Sequence, residues 1–262
     1  MQNYIGTVVW NELQTQEVVI MKNFYEALFG YDWHKVPLDD HIAYNIAMVN
    51  NVGSMGLVQL PRIVADAGGQ SFHIYYIAVD NLEETREKAV SLGGHIVVNE
   101  IMMENMGRWC ILVDPFGAAF CIIEVQGMSI NPRAKEQGRY WHHEVIAKDV
   151  KDSALFYGQL FGWKIERVET DSQTYYRAKD KNDVDIHIHF MPMDERLKVA
   201  NINDFWLGFI YCDHVDALCE TAIQKGATIL LDPTDVASIG RYAWLSMPDH
   251  SILGLVTPMA DI

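Results

Sequence analysis

The chain has 262 residues, about half of them apolar, enough for one large core or two small ones. Lys and Arg total 20 against 35 Asp and Glu, and the net charge of −15 excludes nucleic acid and anionic membrane as expected partners, since both would repel it. No apolar run reaches the roughly 20 residues of a bilayer-spanning helix, and Met1-Gln2-Asn3-Tyr4 opens no signal peptide, so a cytoplasmic location is expected.

A strand is expected over 7–14, followed by an amphipathic helix in which Val18, Met21, Tyr25 and Leu28 recur at helical spacing and Gly30 is the left-handed stop. Short strands follow, among them 42–49 and 54–60. A strand over 73–79 then precedes a helix over 82–92, with Asn81 and Glu84 spaced as a capping box, Glu84 and Lys88 as an i,i+4 pair and Gly93-Gly94 as the stop. Next come a strand over 96–100 and a hairpin around Asp114-Pro115-Phe116-Gly117. The stretch QGMSINPRAKEQG has linker composition. Beyond it the order returns: a strand over 141–148, Asp149 as N-cap, a helix carrying Val150, Ser153, Tyr157 and Leu160, Gly162, a strand over 205–212 and a helix over 215–225 closed by Gly226.

This return is an internal repeat. Phe24-Tyr25, Leu28-Phe29-Gly30 and Glu12 match Phe156-Tyr157, Leu160-Phe161-Gly162 and Glu144 at one offset, and Gly107-Arg108-Trp109 recurs as Gly240-Arg241-Tyr242 at nearly the same one. The expected organisation is domain 1 over 1–126, a linker over 127–138 and domain 2 over 139–262. Each domain holds two βαβββ units, so the unit occurs four times in an α+β chain. Cys110, Cys121, Cys212 and Cys219 form no CxxC pair; Cys110 and Cys121 would face each other only across a bulge-free hairpin, and reduced thiols are expected.

The run Phe-Tyr-x-x-Leu-Phe-Gly-(Tyr/Trp), present twice, together with Gly-Arg-Trp and Asp-Pro-Phe-Gly-Ala, resembles the vicinal oxygen chelate superfamily: glyoxalase I, bleomycin- and fosfomycin-resistance proteins and extradiol dioxygenases. The resemblance implies that paired modules curl their sheets into an open cup, one per domain, with helices outside and the small-molecule or metal site inside. It names no reaction, since members include lyases, isomerases, dioxygenases and simple binders.

Alternation along the strands predicts which side chains enter the cups. Trp10 and Glu12 turn inward opposite Leu13; His142 and Glu144 do so opposite Val145; Ile74 and Tyr76 point inward while His73 and Tyr75 lie under the helix; Leu207, Phe209 and Tyr211 point inward. The metal positions implied by the resemblance fall on Trp10, Ile74 and Glu124 in copy one and on His142, Leu207 and Thr257 in copy two. One donor per set is too few for a divalent ion. A second arrangement is a divalent metal (Zn, Fe, Mn or Ni) held by His142, His187 and His189 with Glu144; the alternative is that these histidines line a wet cup.

Glu12 and Glu124 are candidate general bases if burial raises their proton affinity; at a cup mouth they are ordinary solvated acids. Trp10, Tyr76, Phe209 and Tyr211, with Glu144, are candidate ligand-binding residues, or core. Arg108 and Arg241 occur in both copies and are expected to serve the fold, although either suits an anion. His250 reads as a turn residue. No nucleophile triad or phosphate loop is present. Two functions follow: a binder of a small apolar or aromatic metabolite with no cofactor, or a divalent-metal lyase, isomerase or dioxygenase working in domain 2. The partner in both cases is a small molecule, and the protein is expected as a monomer or homodimer.

Overall fold

The computed structural model describes residues 4–38, 42–104, 106–127, 135–170, 173–236 and 239–259. Four βαβββ modules follow one another. The first is β1 (Val8–Thr15), α1 (Val18–Phe29), β2 (Asp32–Pro37), β3 (Ala43–Val49) and β4 (Val52–Gln59). A short helix, α2 (Arg62–Asp66), leads to β5 (Phe72–Ala78), α3 (Leu82–Ser91), β6 (His95–Met103), β7 (Gly107–Val113) and β8 (Ala119–Val125). The third module is β9 (Tyr140–Ala147), α4 (Val150–Phe161), β10 (Lys164–Glu169), β11 (Thr174–Lys179) and β12 (Asp185–Pro192). After α5 (Glu195–Val199) come β13 (Phe205–Tyr211), α6 (Val215–Gln224), β14 (Thr228–Val236), β15 (Gly240–Ser246) and β16 (Ile252–Pro258). The strands form two open, eight-stranded mixed sheets, ordered β2-β3-β4-β1-β5-β8-β7-β6 and β10-β11-β12-β9-β13-β16-β15-β14. The expected α+β architecture of two tandem glyoxalase-like domains is present. Most of the expected linker, 128–134, lies outside the described residues.

Two compact units cut across the sequence repeats. The first comprises Met1–Val9, Tyr75–Pro132 and His143–Leu207; the second comprises Trp10–Ile74, Arg133–His142 and Gly208–Ile262. Each therefore joins one module of the first repeat to one of the second.

The repeated Phe-Tyr motif organises the core of each. In the first unit Tyr157, on α4, is fully buried; its hydroxyl donates to Asp114 Oδ2 at 2.9 Å and accepts from Trp206 Nε1 at 2.8 Å. Phe120 meets the Tyr157 ring edge-on at 5.3 Å, and Phe190 lies 5.7 Å away. In the second unit Tyr25, on α1, stands 3.2 Å from His73 Nε2 through its hydroxyl and stacks on Tyr31 at 5.8 Å. His73 thus lies under the helix, as alternation predicts. Burial lowers its pKa to about 4, with Asp249 and the Ile252 carbonyl opposing the shift.

The helix ends follow the sequence. Asn81 Oδ1 accepts the Glu84 N–H (3.1 Å), Asp149 Oδ1 accepts the Asp152 N–H (3.0 Å), and Gly30 and Gly162 close their helices at φ +66° and +71°. The cysteine geometry differs from the bulge-free case. The β7–β8 turn runs over 114–118, so Ile111 faces Cys121 and Cys110 faces Ile122, on opposite sides of the sheet. All four thiols are free and buried, and burial raises Cys110 and Cys212 to about 12 and Cys219 to about 11. They are poor nucleophiles. His250 sits in a turn at φ +66°, the residue role expected for it.

Asn81→Ala and Asp149→Ala should each lower the unfolding free energy by about 1 kcal/mol, because each strands one helix N–H. Urea denaturation followed by circular dichroism measures it; an unchanged midpoint would show that the caps are not holding the helix ends.

Candidate functional site

Strand pairing fixes which side chains stand on the face that the helices leave bare. In the second unit Leu13 pairs with Leu57 and Glu12 with Gly56, so Glu12 and Gly56 share the face opposite the buried Leu13. On that face Trp10, Tyr44 and Glu12 form one chain of hydrogen bonds: Trp10 Nε1 donates to Tyr44 Oη at 2.7 Å, and Tyr44 Oη donates to Glu12 Oε2 at 2.7 Å. Gln14 Nε2 adds a bond to Glu12 Oε1 at 2.9 Å. All three members of the chain are buried. Glycine is required at position 56 because a Cβ there would lie 2.0 Å from Tyr44 Oη; its absence lets the tyrosine on β3 reach across β4 to β1. Tyr44 was not among the residues singled out from sequence. A reach over an intervening strand leaves no local pattern.

The third module, in the first unit, carries the equivalent face. Glu144 pairs with His189 and Arg177 with His189, placing all three on the side opposite Phe190, which lies against Tyr157 of α4. Tyr175, the counterpart of Tyr44 by register, lies against His189 at 5.3 Å with the rings tilted by 35°. His189 takes the place of Gly56, so an imidazole stands where the first repeat passes a tyrosine. Glu144, Tyr175 and His189 are all buried. Arg177, at the edge, binds Glu166 (2.5 Å) and lies 3.7 Å from Asp185; together with Lys179 it holds the Glu166 carboxyl down at about 2.

His187 departs from the expected alternation. Ala178 pairs with Ile188 but Lys179 pairs with Asp185, so two extra residues bulge from β12, with His187 at φ +57° and its N–H on Asp185 Oδ1 (2.7 Å). A bulge breaks the pleat, so counting by twos stops at Ile188.

In the second module Tyr76 pairs with Cys121, and Ile123 with Trp109; these four share the bare face, where Trp109 meets Tyr76 edge-on at 5.8 Å. Glu124 therefore has the opposite phase, which corrects its inward placement. Its Oε2 accepts the Leu82 N–H at the start of α3 (3.3 Å) and Arg108 Nη2 (2.7 Å). Arg108 also binds Glu83 and Glu100, while Arg241 binds Asp216 and Asp235. Both arginines thus tie a strand to the first turn of its own helix, the fold role expected of them. Glu124 is an ion-pair partner on the helix side rather than a base facing a ligand.

In the second unit Phe209 pairs with Gly254, where a Cβ would lie 2.3 Å from the ring, and it touches His142 at 5.3 Å and Tyr242 at 5.6 Å. Tyr211 is half-buried, and its hydroxyl donates to Asp213 Oδ1 at 2.9 Å, an acceptor that raises its pKa. Thr257 pairs with Arg241 on the helix side and donates to the Cys212 carbonyl (2.7 Å).

The bare-face positions of the closing strands are Cys121, Ile123 and Gly254, not carboxylates. Of the expected set, Glu144 and His189 are register partners, while the bulge takes His187 out of the alternation. No group of three or more His, Cys, Asp or Glu suited to a metal occurs among the described residues.

Tyr44→Phe removes the atom that joins Trp10 to Glu12 and strips the buried indole N–H of its acceptor. It should cost about 1–3 kcal/mol and shift the tryptophan emission. Denaturation and fluorescence measured on one sample test this, and an unaltered spectrum would mean that the bond does not form in solution.

Similarity to known proteins agrees with this architecture. The sequence model of a family described as Glyoxalase-like domain matches residues 10–123, and that of the Glyoxalase/Bleomycin resistance protein/Dioxygenase superfamily matches residues 139–250. "Putative glyoxylase CFP32" of Mycobacterium tuberculosis is 27% identical over 256 residues, spanning 97% of this chain and 95% of that protein. "Anthracycline biosynthesis protein DnrV" of Streptomyces peucetius is 21% identical over 259 residues, spanning 93% and 90%. The Mn(II)-bound glyoxalase from Novosphingobium aromaticivorans superposes with a TM-score of 0.66 at 12% identity, covering 99% of this chain and 84% of that one. For 2,2',3-trihydroxybiphenyl 1,2-dioxygenase from Sphingomonas wittichii the values are 0.65 and 11%, with 98% and 93% covered. At such identities the structural likeness concerns the fold alone. With two tandem family matches laid over four βαβββ modules, the chain belongs to the vicinal oxygen chelate superfamily as a protein of two tandem glyoxalase-like domains.

Proposed function

We propose that this protein binds a small apolar or aromatic metabolite against the bare faces of its strands, without the three-ligand metal site of the superfamily's metal enzymes. The observation that carries this reading is the Trp10–Tyr44–Glu12 chain, an aromatic wall ending in one fixed carboxylate where a metal enzyme needs a free donor. Tyr76 beside Trp109 and Phe209 beside Tyr242 are further aromatic pairs on these faces, with Tyr211 at the margin and Glu144 as the polar group of the second repeat. Such faces bind flat molecules by burial and ring contact and orient them with a few polar atoms. The name of an anthracycline-biosynthesis relative points the same way for ligand class. The charge of −15 speaks for a neutral or cationic ligand and against nucleic acid. We place the protein in the cytoplasm, as a monomer or homodimer.

Titration of the purified protein with 2-naphthol and with xanthone, followed by tryptophan emission, should give saturable quenching, and Trp10→Ala should weaken it about tenfold, roughly 1.4 kcal/mol. Elemental analysis of the same sample should find less than stoichiometric divalent metal, and chelation should leave the titration unchanged. Stoichiometric Zn, Fe, Mn or Ni whose removal abolishes binding would replace this reading with the metal-dependent lyase, isomerase or dioxygenase.

A further inference from the structure

The junction around Tyr157 in the first unit holds two buried carboxylates that the proposed binding function does not use. Asp114 opens the five-residue turn between β7 and β8. Its Oδ1 accepts the N–H groups of Phe116 (2.9 Å) and Ala118 (2.8 Å), and its Oδ2 accepts the Tyr157 hydroxyl. Asp204 lies just ahead of β13. Its Oδ1 accepts the Lys148 N–H (3.0 Å), while its Oδ2 is buried with no hydrogen-bond partner among the described residues. The two stretches meet: the Asp204 N–H points to the Phe116 carbonyl at 3.4 Å, and a Cβ on Gly117 would lie 2.8 Å from Asn203. Asp114, Tyr157, Asp204 and Trp206 are 1%, 0%, 2% and 6% exposed.

The charged and titratable surroundings are few. From α4 come Tyr157 and, at its N-cap, Asp149, whose charge opposes ionisation of Asp204; from the end of β9 comes Lys148, which attracts Asp204 without forming an ion pair. From β13 comes Trp206, a neutral donor. No cation is paired with either carboxylate among the described residues. Two carboxylates this deep, one with a bare oxygen, are costly to keep ionised together.

We infer that Asp114, Asp204 and Tyr157 form a proton-operated latch between the β7–β8 hairpin of the first repeat and helix α4 of the second. Mild acidification neutralises buried charge at this junction and stabilises the folded chain, and that stabilisation is lost again as the pH rises. Burial raises both acids, Asp114 to about 6, and the Asp204 charge adds to the Asp114 shift. The sign follows from linkage. A carboxyl whose folded pKa lies above its unfolded value of 3.8 binds more proton in the folded state between those limits. Stability therefore rises as the pH falls through about 6, and is lost as the pH climbs back.

The test uses the full chain. Thermal unfolding between pH 5 and pH 8 is compared for the native protein, Asp204→Asn and Asp114→Asn, since asparagine mimics the neutral acid. The change in Tm between pH 8 and pH 5.5 should be more positive in the native protein than in Asp204→Asn by about 5 °C. Carboxyl carbon NMR of the native protein should show at least one aspartate titrating above pH 5, and that resonance should be absent in one of the two variants. Contributions from other groups, His73 included, are common to both proteins and cancel. If Asp114→Asn does not fold, the Asp204→Asn comparison decides alone. Parallel Tm profiles, or aspartates that all titrate below pH 4.5, overturn the latch.

Discussion

A tyrosine hydroxyl ties each long helix to the strand that opens the neighbouring module, and the packing of each unit is built around it. Tyr157 alone joins α4, the β7–β8 turn through Asp114 and the start of β13 through Trp206, three segments far apart in sequence. A phenol can do this because its ring fills core volume while its oxygen donates once and accepts once. In the second unit the Tyr25 hydroxyl of α1 meets His73, which stands in the place of Trp206. The Phe-Tyr motif of the sequence is thus a structural fastening. Its repetition reflects two copies of one joint rather than two copies of a reaction.

The two repeats differ most on the faces their helices leave bare. The first fills that face with its own aromatic chain, Trp10 to Tyr44 to Glu12, over a glycine. The second puts His189 where the glycine was and surrounds it with Glu144, Tyr175 and Arg177. One repeat thus carries a tyrosine-bridged carboxylate where the other carries a histidine beside a carboxylate. In the first repeat two acids are held by neighbours: Glu12 by Tyr44 and Gln14, Glu124 by Arg108 and the start of α3.

Reading alternate residues succeeded where strands keep their pleat. It placed His73 on the helix side of its strand, where the structure sets it against Tyr25 of α1, and put Glu12 and Glu144 opposite Leu13 and Val145. It failed at the two places where residues are inserted or the phase was carried over rather than counted. The bulge at His187 interrupts alternation, and nothing in His-Ile-His announces it, since a bulge answers to the partner strand. Glu124 was assigned by analogy; counting across the Tyr76–Cys121 pair reverses it.

By itself the sequence determined the repeat, the four βαβββ units, the helix ends at Asn81, Asp149, Gly30 and Gly162, and the superfamily, because each rests on spacing within a short window. Only the tertiary structure decided which modules pack together, that Tyr44 reaches Glu12 across Gly56, and that Asp114 and Asp204 share one buried junction. Those are contacts between residues distant along the chain, and their energies depend on what surrounds an atom rather than on what precedes it.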